Sequence, residues 1–207
     1  MKFSILPTTV RVQKTMEAVR ERGVNVTLME TKESALSYVQ TLIPPGASVM
    51  TGASTTLQQI GLEALLLGGN HPWQYLKSGI LAEKDPARQV ALRRQATLAD
   101  YFLGSVHAIV ETGELLIASA TGSQLSAYAY SSSNIIWVAG THKITANLDI
   151  AFQRMREYAL PLEDQHLKKQ YGPNVTGMIG KILVFEREAS YLHRNISLVL
   201  VNEVLGF

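Results

Sequence analysis

The sequence predicts an α/β fold, an open and mostly parallel sheet flanked by helices, on three observations. Short apolar runs of strand length recur, among them "VNVTLM" (residues 24–29), "ASVM" (47–50) and "NIIWVAG" (134–140). Longer stretches with apolar residues at helical spacing separate them. Glycine and proline mark most junctions. Strands alternating with helices are the pattern of parallel strands joined by helical crossovers.

Each element follows in order. Val12, Met16 and Val19 fall at i, i+4 and i+7, and Gly23 after Arg20 and Arg22 is a helix stop. Residues 24–29 alternate as a strand. Thr31 then caps a helix with Ala35, Leu36, Val39, Leu42 and Ile43 on one face, ended by Pro44, Pro45 and Gly46. After the strand at 47–50, Leu57, Ile60, Ala64 and Leu65 form the inward face of a helix that reaches Gly68 and Gly69. Residues 70–85 are a mixed connection with one short element. Pro86 opens a helix expected to continue to about Gly104. Two short strands, 106–110 and 114–118, flank Glu111-Thr112-Gly113 as a hairpin, and "TGSQLSAYAYSS" is a loop with a short helix. The run at 134–140 is a buried strand. Leu148, Phe152, Met155, Ala159 and Leu162 mark the clearest helix, which Pro161 is expected to kink or end. "MIGKILVFE" and "ISLVLVNE" are strands on either side of a polar turn near Arg194 and Asn195. With no repeat or linker, the expected division is an N-terminal helical extension (1–23) and one α/β domain (24–207).

Composition removes several function classes. The chain has 207 residues, 46% of them hydrophobic, enough for a large core. It has no cysteine, so disulfides, thiol catalysis and cysteine-held zinc or iron–sulfur sites are excluded. Lys and Arg total 19 against 17 Asp and Glu, and the one basic cluster, Arg88, Arg93 and Arg94, lacks interleaved aromatics; nucleic acid is not an expected partner. No apolar run approaches the ~20 residues of a spanning helix and no signal-type segment opens the chain, so the expectation is a cytoplasmic protein without membrane insertion. His71, His107, His142, His166 and His193 show no metal-ligand spacing, and no metal is expected.

The richest local pattern is "VMTGASTTLQQIG" (49–61): a strand, a tight turn with Gly52, Ser54, Thr55 and Thr56, then a helix. Hydroxyls and free N–H groups at a helix start suit a phosphate or carboxylate. The competing reading is that Ser54 or Thr55 only caps the helix. It is neither a P-loop nor a dinucleotide fingerprint, and no cofactor is assigned. Glu111 is either a solvated hairpin residue beside Gly113 or a carboxylate base or nucleophile. "SATGSQ" brings a second small-residue turn with Gly122 and Ser123. His142 and Lys143 follow the buried strand, where Lys143 either neutralises an anion or is an ordinary loop lysine. Trp73 and Trp137 read as packing residues.

Taken together, "TGASTTLQQIGL", "ADYFLGSVHAIVETGELL", "TGSQ", "VAGTHKITANLDIAFQRMREYALP" and "LVLVNEVLGF" resemble, in order, the LUD-domain or lactate-utilisation family, from Val12 to Phe207. The resemblance implies a fold similar to ribose-5-phosphate isomerase, glucosamine-6-phosphate deaminase and CoA transferases. In those relatives a Gly/Ser/Thr turn holds a substrate phosphate, matched here by Gly52, Ser54, Thr55 and Thr56. The Glu-then-Gly nucleophile of CoA transferases is similar to Glu111 and Gly113. Family context implies a small anionic metabolite as ligand or, alternatively, a non-catalytic role docking onto iron–sulfur protein partners of a lactate-oxidising complex; homo-oligomerisation stays open. Many relatives carry a cysteine-rich segment after the long helix, which residues 162–180 lack. Relatives also tend to have Asn where His107 and His142 stand, so these two imply a site that titrates near neutral pH.

Overall fold

A computed structural model describes residues 3–207. Thr8 caps α1 (Thr9–Glu21), whose Val12, Met16 and Val19 are buried in the main core. β1 (Asn25–Met29) leads to α2 (Lys32–Thr41), which starts with the Thr31 and Ser34 side chains each accepting the other residue's backbone N–H. β2 (Ser48–Thr51) enters α3 (Thr55–Gln59), and Gly61, in the left-handed region, turns the chain into α4 (Leu62–Gly68). The unassigned connection contains β3 (Gln74–Tyr75) and α5 (Leu76–Ala82).

Asp85 and Pro86 start α6 (Pro86–Gln95) as expected, but that helix gives way to a single tight turn, and Tyr101–Gly104 is a strand, β4. The misreading arose because "YFLG" is four residues long and continues the apolar spacing of the helix before it. Asp100 marks the true boundary: its carboxylate accepts from the Ser48 amide (2.9 Å) and hydroxyl (2.7 Å), aligning β4 with β2. β5 (Ala108–Val110) and β6 (Leu115–Ser119) form the predicted hairpin. β7 (Asn134–Gly140), β8 (Ile144–Thr145), α7 (Leu148–Arg154), α8 (Leu160–Tyr171), β9 (Lys181–Phe185) and β10 (Asn195–Val201) complete the chain.

Pro161 neither ends nor replaces the long helix. Residues Met155–Ala159 widen into a π turn between α7 and α8, so Pro161, lacking an N–H, lies at the first turn of α8. Nor do β9 and β10 pair with each other as neighbours about a turn; they belong to different sheets.

One sheet has six parallel strands in the order β1-β10-β7-β4-β2-β3; the other has four, β8-β5-β6-β9, and is mixed. Alternation along β7 divides the core. Ile135, Trp137 and Ala139 face α1 and the second sheet, where Ile109, Leu115 and Phe185 meet them. Ile136 and Val138 face the opposite layer, built from Ala35 and Val39 of α2 with Leu57 and Leu62. The second sheet covers its outer face with α7 through Ala151. The Ser105–Val106–His107 link from β4 to β5 thus passes from one sheet to the other beside the carboxyl ends of β2, β4 and β7, where open α/β sheets place ligands.

Candidate functional site

A cleft of about 720 Å³ opens at that edge. Its floor comes from the ends of the parallel strands: the Gly52–Thr56 turn after β2, Ser105 to His107 after β4, and Lys143 after β7. Thr121, Ser123 and Gln124 after β6 form one side, and α8 presents Leu160, Glu163 and His166 from another. Among the described residues no group of three His, Cys, Asp or Glu side chains is placed to hold a metal.

Lys143 is the chemical centre. The tight turn Thr141–Lys143 buries it to 2% exposure, and its Nζ contacts Thr56 Oγ1 (3.2 Å), Ser105 Oγ (3.1 Å) and the Val106 carbonyl (3.1 Å). All three are neutral. Behind the next residue lies Arg154, fully buried, whose Nη1 donates to the His107 carbonyl at 2.5 Å while Nε and Nη2 have no hydrogen-bond partner among the described residues. Its guanidinium also lies 5.1 Å from the centre of the Tyr158 ring. Two basic side chains therefore hold consecutive carbonyls of the inter-sheet link, and no carboxylate among the described residues pairs with either. Burial pushes the Lys143 ammonium well below its usual range, and Arg154 pushes it further. Burial also lowers Arg154, to about 10, which leaves it charged at neutral pH.

The histidines behave differently from the sequence expectation. His107 accepts the Ala118 N–H at Nδ1 (3.1 Å), and since a backbone amide only donates, the ring proton is on Nε2. Burial, then Lys143 and Arg154, lower its pKa to about 3. His142 is lowered to about 2 by burial first, then by the same two cations. Neither titrates near neutral pH, because burial disfavours the charged ring and the adjacent basic pair opposes a further positive charge. His142 is buried behind Lys143 and does not line the cleft.

The hydroxyl-rich turn is partly engaged by the protein itself. Ser54 Oγ accepts from Leu57 N (3.3 Å), the capping role; Thr56 Oγ1 is held between Lys143 and the Leu205 carbonyl. Gln124 lies so close to Gly52 that a Cβ there would sit 2.1 Å from its Oε1. Thr55 lines the cleft. Glu111 and Gly113 are elsewhere: Arg11 Nε donates to Glu111 Oε1 at 2.6 Å, and Gly113, at φ +100°, packs against α1 near Ala18. Glu111 does not line the cleft; the ion pair ties it to α1 at the hairpin, the first of its two sequence readings being a hairpin residue and the second a base. Gly122, also at positive φ, lies against Lys181, while its neighbours Thr121 and Ser123 reach the cleft.

Sequence reading missed Arg154 and Glu163. The signal for Arg154 was available: it lies three residues after inward Ala151 and next to inward Met155, on the apolar face of the helix. Among the described residues Glu163 makes no ion pair, and burial raises its pKa while His166 opposes the rise.

A solved structure, a DUF162 family protein from Deinococcus radiodurans, is similar in fold, with a TM-score of 0.51 at 11% identity, covering 94% of this chain and 98% of that one. At that identity the likeness concerns fold alone. A search of curated proteins finds no match. The LUD domain model matches residues 12–187, from the middle of α1 to just beyond β9. A match over most of the chain, with the six-stranded parallel sheet, establishes that the protein belongs to the LUD-domain family.

Proposed function

We propose that the cleft binds a small metabolite bearing a carboxylate or phosphate, in the use of lactate or related organic acids that the family name suggests. One observation carries this reading: Lys143 and Arg154 are both buried and neither meets a carboxylate. A buried charge without a counter-charge is costly, and an arginine cannot discard its proton to escape the cost. Of the two, Lys143 lines the cleft, and an anion held there offsets the positive charge of the pair, with Arg154 acting from behind it. The Thr55 and Ser123 hydroxyls and the His107 Nε2–H are the further groups placed to donate to it.

A thermal-shift screen with lactate, pyruvate, phosphate, sugar phosphates, CoA esters and nucleotides tests the proposal. A ligand at 100 times its Kd stabilises the folded state by about 2.7 kcal/mol, a readily measured rise in Tm. At least one anion should raise Tm in the wild type and not in Lys143→Met. No rise with any anion, together with copurification of an iron–sulfur protein, would replace this reading with the docking role.

A further inference from the structure

We propose that Lys143 is a nucleophilic amine that forms an imine with the carbonyl group of a small oxo acid. The proposal rests on the anion-binding reading and adds a reaction to it. Two lysines line the cleft, Lys77 and Lys143. Lys77 is paired with Glu63 at 2.9 Å, whereas the Nζ of Lys143 has two hydroxyls and a carbonyl as its partners. With Arg154 fixed on the adjacent carbonyl, the proton of Lys143 is the one the buried pair can release. Burial and this neighbour both favour the neutral amine.

The surrounding groups fit carbonyl chemistry. His107 offers Nε2–H into the cleft in a tautomer fixed by Ala118 N–H, so it can polarise a carbonyl oxygen while remaining too weak a base to capture a proton. The Nζ lone pair adds to the carbonyl carbon as one N–H proton passes to the oxygen. The second N–H proton then leaves with that oxygen as water, forming the carbon–nitrogen double bond. Ser105 and Thr56, both in contact with Nζ, are positioned to relay these protons. No oxidant, reductant or co-reactant is consumed. Arg154 does not line the cleft, but its charge, held one carbonyl away in the low-dielectric interior, still favours an oxo acid over a neutral aldehyde.

The test is incubation of the intact protein with glyoxylate and cyanoborohydride, followed by peptide mapping by mass spectrometry. One reduced adduct at Lys143 is expected, formed at least tenfold faster than at any surface lysine, and slower with acetaldehyde. Lys143→Arg should abolish it, with circular dichroism confirming that the variant is folded. In wild-type protein unfolded by urea the preference for Lys143 should vanish. Labelling spread over surface lysines with Lys143 unmodified overturns the imine proposal; if phosphate or pyruvate still raises Tm, the anion-binding reading survives that failure. Absence of both responses defeats the two together.

Discussion

At the scale of single residues, the site depends on contacts too close to alter. Gly104 ends β4 where a Cβ would stand 1.7 Å from Tyr128 Oη, and Tyr128 is fully buried against Phe102 and Trp137. Gly104→Ala should therefore destabilise by about 3 kcal/mol, the upper end for overpacking a core, in urea unfolding. Since Tyr128 Oη is the atom such a Cβ would strike, adding Tyr128→Phe should recover part of that loss. Equal stabilities of the single and double variants would contradict this. The residue scale is also where the sequence was least informative. Lys143 was visible as a lysine after a strand, but the absence of an acid near it is a property of the folded core. Glu111 drew attention because it interrupts an apolar run, yet Arg11, distant in sequence, decides what it does.

At the scale of elements, periodicity made α1, α2, β1, β2, β7 and the β5–β6 hairpin legible, because each has a local pattern strong enough to stand alone. β4 and β3 were not legible, since four and two residues are too few to set a period. The π turn before Pro161 was equally hidden, as nothing local specifies an i+5 register. Long-range polar links, also invisible in sequence, join these elements. Arg22 at the end of α1 is the clearest: it pairs with Glu114, donates to the Thr112 carbonyl (2.7 Å), and reaches both the carbonyl (2.7 Å) and the carboxylate (3.1 Å) of Glu186. It thus ties α1 to the hairpin and to the end of β9. Arg22→Ala leaves the buried Glu114 without its cation and should cost about 2–3 kcal/mol, somewhat below a fully buried pair because part of the cluster is wet. An unchanged urea midpoint would show that the link is dispensable. Gly113→Ala should loosen the same junction, since its Cβ would fall 2.5 Å from the Ala18 carbonyl and φ is +100°.

For the whole molecule, the burial of His107 and His142, next to Lys143 and Arg154, sets a pH dependence. His107 and His142 titrate near 6.5 when unfolded and at about 3 and about 2 when folded. Below about pH 6.5 the unfolded chain therefore binds protons that the native state refuses. Stability should fall as pH drops from about 6.5 towards 3, by up to about 1.4 kcal/mol per pH unit for each histidine. His107→Asn and His142→Asn together should flatten that slope in urea unfolding between pH 6.5 and 4.5, and an unaltered slope would assign the acid sensitivity to other groups. The same logic explains why the fold class was readable while the ligand was not. Alternating strands and helices record the sheet in sequence, whereas a cleft at its edge exists only once β2, β4 and β7 are aligned and the second sheet closes one side. Among the described residues no helix is long and apolar enough to cross a membrane, in line with the composition.

The most direct test of an anion site at Lys143 is a heteronuclear NMR titration of isotope-labelled protein with phosphate and with pyruvate. Saturable shifts centred on Thr56, Ser105, His107 and Lys143, lost in Lys143→Met, are the predicted result. Shifts confined to exposed basic residues such as Arg88, or none at millimolar ligand, would contradict it.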